Sequence, residues 1–255
     1  FVSGLFGYST SNREGLFQHY LYQNNSLGKG SDYNYWNYGL KGQIIYRLNG
    51  RNFFVYNGAY FSQAPFLEDI FINPRANNYT VPNIKNAVIS ANDLSYVIST
   101  PFLKLRATGY IVNTQNDTNV QRFFADGLVL NVSEADTGSE DKTASAFVTQ
   151  TMSNVNKRNM GAELGVDVKV LPTLSLQGVA SWGEYKYTNN PNVYISSDVM
   201  AAPYANLGTA YIKDFKVGGT AQKAFSAGFR YNSPKYWWFG ASWNYLDDNN
   251  LDPSA

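Results

Sequence analysis

The sequence predicts an all-β protein: an antiparallel, up-and-down sheet of about nine strands, a fragment of the kind of sheet that closes into a transmembrane β-barrel. Three observations predict it. Apolar and polar residues alternate with a period of two through most of the 255-residue chain, the period that successive side chains on a strand impose. Connections alternate strictly between tight turns and long polar loops. Aromatics make up 16% of the chain and charged residues 15%, against roughly 25% charged in soluble domains.

The clearest hairpin is Met160 to Tyr185. Ala162, Leu164, Val166, Val168 and Val170 share one face, and Glu163, Asp167 and Lys169 share the other. After the turn Leu171-Pro172-Thr173, Leu174, Leu176, Ala180 and Trp182 alternate with Ser175, Gln177 and Ser181.

Taken from the N-terminus, Val2 to Tyr8 is a short strand and Ser9 to Asn34 a polar loop. Tyr35 to Leu48 puts Leu40, Ile44 and Tyr46 opposite Lys41, Gln43 and Arg47. Asn49-Gly50 is a hairpin turn, because both residues tolerate positive φ, and Asn52 to Ser62 returns with Phe54, Tyr56 and Tyr60 on one face. Gln63 to Asn86 is a long connection holding Pro65, Pro74 and Pro82, none of which can donate to a ladder. Ala87 to Ser99 and Phe102 to Asn113 form the next hairpin about Thr100-Pro101, with Leu103, Leu105 and Ile111 against Lys104, Arg106 and Thr108.

Thr114 to Ala144 is again long and polar and contains the acidic run around Asp136, Glu140 and Asp141; Val120 to Val132 inside it is a strand extension or small hairpin. Ser145 to Val170 is one long strand, bulged or broken near Asn154 to Asn159. Thr188 to Gln222 is the longest loop. Ala224 to Tyr231 and Trp237 to Leu246 close the set about Ser233-Pro234-Lys235. Tight turns at 49–51, 99–101, 171–173 and 233–235 thus fall at one edge, and long loops at 9–34, 63–86, 114–144 and 188–222 at the other. Transmembrane barrels separate short and long connections in this way, with apolar arms of roughly 9–11 residues.

Composition excludes several classes. The net charge is +1, so no global field recruits nucleic acid. Without cysteines there is no disulfide framework or Cys-based zinc site. No apolar run approaches the roughly 18 residues of a membrane helix. Phe1 is no initiator, FVSGLFGYS is not a signal peptide, and NNLDPSA stops in a loop, so both ends read as cuts through a larger protein.

Five blocks carry a family likeness: residues 37–78, 93–113, 161–181, 218–234 and 235–252, with GAEL at Gly161 to Leu164 on a strand entering a tight turn. In this order they resemble the barrel of TonB-dependent outer-membrane receptors of the Bacteroidetes type. The likeness implies a middle-to-late piece, residues 1–255, of a roughly 22-stranded barrel. The plug domain, the TonB-contacting segment and the C-terminal strands are not in the piece. It further implies location in the outer membrane of a Gram-negative cell and active transport of a scarce nutrient: a siderophore, vitamin, oligosaccharide or peptide. The implied partners are the lipid bilayer, that ligand and, through the plug, the TonB complex. The alternatives are a soluble or surface-attached glycan-binding module and part of a passive porin.

No enzyme is expected, and no catalytic, cofactor or metal site. His19 is the only histidine, lies in a loop, and has no GxSxG nucleophile beside it. Glu163 and Asp167, with Lys169 beside them, read as a hydrated lumen wall rather than an acid–base pair. Asp247-Asp248-Asn249-Asn250 with Asp252 offers hard oxygen ligands but lacks a spaced calcium loop, so it reads as a polar turn. Lys41, Arg47, Lys104, Arg106 and Arg230 sit on polar faces and are expected to pair with Asp93, Glu163 and Asp167; without stacking aromatics among them they make no nucleic-acid groove. Loop aromatics Phe17, Tyr20, Tyr22, Tyr33, Phe66, Phe71 and Tyr79 either stack on a ligand or pack the loops together.

Overall fold

The computed structural model describes residues 1–129 and 143–251. Its strands are β1 (Val2–Ser11), β2 (Glu14–Gly15), β3 (Gly28–Lys29), β4 (Tyr33–Arg47), β5 (Asn52–Gln63), β6 (Ala87–Ser99), β7 (Leu103–Val129), β8 (Thr143–Leu171), β9 (Leu174–Tyr187), β10 (Asn192–Ser197), β11 (Ala205–Thr209), β12 (Ala221–Asn232) and β13 (Trp238–Asn249). The protein is all-β apart from one helical turn, α1 (Leu67–Ile70). One antiparallel sheet runs β1-β4-β5-β6-β7-β8-β9-β12-β13, with the β10–β11 hairpin attached to β8. The sheet is open, ending at β1 and β13.

The register joins the apolar halves of all nine strands into one face. One row runs Ile44–Tyr56–Leu94–Gly109–Ala162–Trp182 through successive cross-strand pairs. The next runs Tyr46–Phe54–Tyr96–Ala107–Leu164–Ala180–Phe225–Tyr245. A slip of one residue in any strand would turn its whole apolar set to the other face. No second layer covers this face: Ile44 is 66% exposed, Leu94 53% and Trp243 60%. On the opposite face Ser95 is fully buried and Val55 is 8% exposed. The described sheet is thus a single layer whose apolar face is not packed into a core as in a soluble sandwich.

The tight turns hold their edge. Residues 100–102, 172–173 and 233–237 join the expected strand pairs. The Asn49-Gly50 turn forms by another route than expected. Neither residue has positive φ; instead the Asn49 Oδ1 accepts from the Arg51 and Asn52 amides at 2.9 and 3.0 Å, an Asx turn.

The other edge departs from the sequence reading. β7 continues through residues 114–129, where a loop is expected, and pairs there with residues 143–157 of β8, the upper part of the long strand expected from Ser145 to Val170. The stretch Thr118-Asn119-Val120-Gln121-Arg122 carries polar groups on both faces, so no alternation marks it. The strand-extension reading of 120–132 holds to Val129, and the rest of that segment, with the acidic run, lies outside the described residues. The expected break near Asn154 is present: pairing shifts around Asp117, and Asn116 and Asn154 adopt φ of 57° and 58°. The expected loops at 9–34 and 188–222 contain the β2–β3 and β10–β11 pairs. β10 adds to the upper half of β8, which would otherwise present an unpaired edge.

The buried apolar clusters lie at this edge. One joins Met152, Val155, Tyr187 and Ile212; the other joins Ile72, Val81 and Tyr194. Core-like packing is thus built from long-connection residues and the strand extensions they cover. Among the described residues no helix is long and apolar enough to cross a membrane.

Candidate functional site

The polar face carries a row of linked side chains at one level of the sheet. Gln43 Nε2 donates to Asn57 Oδ1 at 2.8 Å, and Asn57 Nδ2 donates to Asp93 Oδ1 at 2.9 Å. Asp93 pairs across to Tyr110 on β7. The Tyr110 and Tyr185 hydroxyls then meet at 2.8 Å, and Gln222 clamps Tyr185 by bonding both its amide and its carbonyl. Asp93, Arg106, Tyr110, Asn159, Glu163 and Tyr185 line an open groove of about 690 Å³ here.

The expected ion pairs on this face do not form. Among the described residues none of Lys41, Arg47, Lys104, Arg106 and Arg230 makes an ion pair with Asp93, Glu163 or Asp167. Lys104 and Asp167 are direct cross-strand partners, yet Asp167 accepts from Gln177 at 3.2 Å instead. Arg106 donates to the buried Ser95 Oγ through Nε and Nη2, at 3.2 and 3.0 Å. Arg230 bonds Asn232 and lies 5.0 Å from the Trp238 ring centre. Neutral amides and hydroxyls reach these groups without ordering two long side chains in high dielectric, where an ion pair gains little.

A second locus is the layer formed by the long connections. Arg13 follows β1 and donates from Nε to the Pro74 carbonyl at 2.6 Å and from Nη1 to the Ser26 carbonyl at 3.0 Å, with Nη1 also on Asn78 Oδ1. The Tyr22 hydroxyl donates to the Met200 and Ala202 carbonyls at 2.7 and 2.9 Å. Asn73 Nδ2 donates to Asp198 Oδ1 at 2.8 Å. These bonds tie connections 12–32, 64–86 and 198–204 into one body. Burial, with Tyr79 and Asp198 nearby, pushes the Tyr22 hydroxyl up to about 12. Burial and the adjacent Glu68 raise the Asp69 carboxyl above its ordinary value.

The loop aromatics divide. Tyr22 and Phe71 are buried, and Tyr33 packs edge-on against Phe71 with ring centres 5.8 Å apart. Phe17, Tyr20, Phe66 and Tyr79 remain exposed. Phe66 and Phe71 wall a pocket of about 580 Å³ with Arg13. His19 sits between Tyr20 and Tyr22, stacked on the former, and its Nδ1 accepts from the Leu21 amide at 3.3 Å. Asp248 is engaged by Lys216 and Lys223, and Asp252 lies outside the described residues. Among those residues no group of three His, Cys, Asp or Glu could hold a metal ion.

Arg13, Asn73, Asn78 and Asp198 are missing from the sequence reading. Their only signal is an asparagine-rich composition, which says turn but not partner. A third constellation lies at the break expected near Asn154, though its partners Asn116, Asp117 and Asn189 had no signal. Asn156 Oδ1 accepts from the Asn116 amide at 2.9 Å, Asn189 brackets residues 154 and 156, and Lys157 pairs with Asp117 at 2.8 Å. It pins the bend where β7 and β8 leave the apolar band.

No protein-family model matches the chain, and no curated protein or solved structure matches it.

Proposed function

We propose that this chain forms part of the wall of an outer-membrane β-barrel, in a TonB-dependent receptor that takes up a scarce nutrient at its long-loop edge. The observation that carries the reading is the uncovered apolar face, continuous in register across nine strands. In water such a face would drive aggregation; against hydrocarbon it is the stable arrangement, since the strands between β1 and β13 are paired on both sides and further strands of the wall would pair the two open edges. The bonded loop layer supports a receptor over an open pore, because pre-ordered loops lower the entropic cost of capturing a ligand.

The absence of native cysteines makes the test direct. Single cysteines at Ile44, Leu105 and Leu164, and at Gln43, Thr108 and Gln177, are introduced into the intact protein in outer-membrane vesicles. The first set is expected to react with a lipid-soluble maleimide and resist a charged one, and the second set to do the reverse. Equal reaction of both sets with the charged reagent, or a soluble monomer without detergent, overturns the membrane reading in favour of a soluble binding module. A plug domain encoded upstream supports the receptor; an open reading frame without one favours a passive porin.

A further inference from the structure

The Arg13 pocket has an unusual charge distribution. Two of the three guanidinium nitrogens are committed, to two backbone carbonyls and one amide oxygen. All three acceptors are neutral, and among the described residues no carboxylate lies within ion-pair distance of Arg13. Among the described residues its charge is therefore held in place without a carboxylate partner, and Nη2 has no acceptor there. The same pocket is lined by Glu68. The Glu68 carboxylate has no hydrogen-bond or ion-pair partner among the described residues, and it stands beyond ion-pair distance from Arg13. Between the two charges lie apolar walls: Phe66, Leu67, Phe71 and Pro74. Phe71 is fixed by burial and by Tyr33. The volume, about 580 Å³, falls in the range of small-molecule sites.

Asp69 and Arg122 stand near Glu68, but neither pairs with its carboxylate. A cation and an anion that lack ion-pair partners among the described residues, across one apolar pocket, match a ligand that carries both charges on an apolar body. We propose that this pocket binds a small apolar zwitterion of the amino-acid or short-peptide class. Its carboxylate meets Arg13, where a guanidinium offers charge-assisted bonding. Its ammonium meets Glu68, and its side chains lie on Phe66, Leu67 and Phe71. An all-apolar ligand would leave Arg13 uncompensated, and a simple anion would leave Glu68 idle. The inference relies on the receptor reading only for which side of a membrane the pocket faces.

The probe is the dipeptide leucyl-phenylalanine, titrated calorimetrically into the intact purified protein in nanodiscs. Three ligand forms are compared: free ends, acetylated amine, amidated carboxylate. Amidation is expected to weaken binding about tenfold, and acetylation about threefold, because Glu68 is exposed and screened. Glu68→Gln should weaken the free dipeptide by the same factor and leave the acetylated form unchanged. Arg13→Gln should erase the preference for acid over amide. Because Arg13 also ties the loops, Glu68→Gln and the blocked ligands decide the matter if that variant does not fold. No binding of the free dipeptide at millimolar concentration, or equal binding of all three forms, overturns the proposal. Since binding is measured on purified protein, that failure is separate from a failure of the cysteine labelling.

Discussion

Tyr110 and Tyr185 bond hydroxyl to hydroxyl at 2.8 Å, reaching toward each other across β8 from the strands on either side of it. Glycine makes the crossing possible. A Cβ at Gly161 would stand 2.7 Å from the Tyr110 Oη and 2.3 Å from the Trp182 carbonyl; one at Gly183 would stand 2.7 Å from the Tyr185 ring. The two rings thus lie over a trough where β8 and β9 lack side chains. This gives the polar face a rigid crosspiece, next to Asp93 and Glu163.

Gly161→Ala should therefore destabilise the sheet by about 1–3 kcal/mol, the usual range for overpacking. Gly165→Ala, whose added Cβ meets nothing within 4 Å, should change stability by less than about 0.5 kcal/mol. Urea unfolding of both variants in lipid vesicles measures the difference. Equal midpoints would mean that the tyrosines move aside freely.

The exposed apolar rows give a second expectation. Leu164→Arg, near the middle of the apolar band, should cost roughly 2–4 kcal/mol in a bilayer, while Lys104→Glu on the polar face should cost little. The same vesicle measurement decides, and a reversed order would mean that the polar face meets lipid.

Tyr22 makes the loop layer sensitive to alkali. Its folded pKa, about 12, exceeds the unfolded value of 10.0. The unfolded chain therefore releases the proton first. The stabilisation is complete below pH 10 and is lost as pH rises toward 12, a fall on the order of 2 kcal/mol. Tyr22→Phe should cost about 1–2 kcal/mol at neutral pH, through loss of the hydroxyl proton shared between the buried Met200 carbonyl and the Ala202 carbonyl. Near-UV circular dichroism melts across this range should show the wild-type advantage over Tyr22→Phe shrinking to nothing.

The bend at Asn154 offers a backbone test. Its φ of 58° suits asparagine and glycine, and among the described residues the side-chain oxygen has no partner. Asn154→Gly should be nearly neutral, whereas Asn154→Val should cost about 1–2 kcal/mol from its Cβ in the left-handed region. Limited proteolysis of the β7–β8 hairpin reports the difference, with faster cleavage expected only for the valine variant.

Strand identity, the two faces and the edge bearing the tight turns were all legible in the sequence. Ala87–Ser99 is bounded as the alternation implies, and the break near Asn154 was marked by its run of asparagines. The upper part of β8 was legible within the long strand from Ser145, but the β7 stretch facing it was legible only as one of two alternatives from Val120 on, because with polar residues on both of its faces the period of two has nothing to display. Nor were the sites. Asp167 could be placed on the polar face, but not given Gln177 as its partner in preference to Lys104.

The sequence by itself determined which side chains share a face, since that depends only on the alternation of neighbours along the backbone. Only the tertiary structure decided which faces join in register, that Tyr110 reaches Tyr185, and that Arg13 and Glu68 line one pocket. These are relations between residues far apart in the chain: Arg13 bonds Pro74 across 61 positions and Tyr22 bonds Met200 across 178. No local period encodes such pairs; they exist because packing nine strands in one register brings their long connections together at one edge.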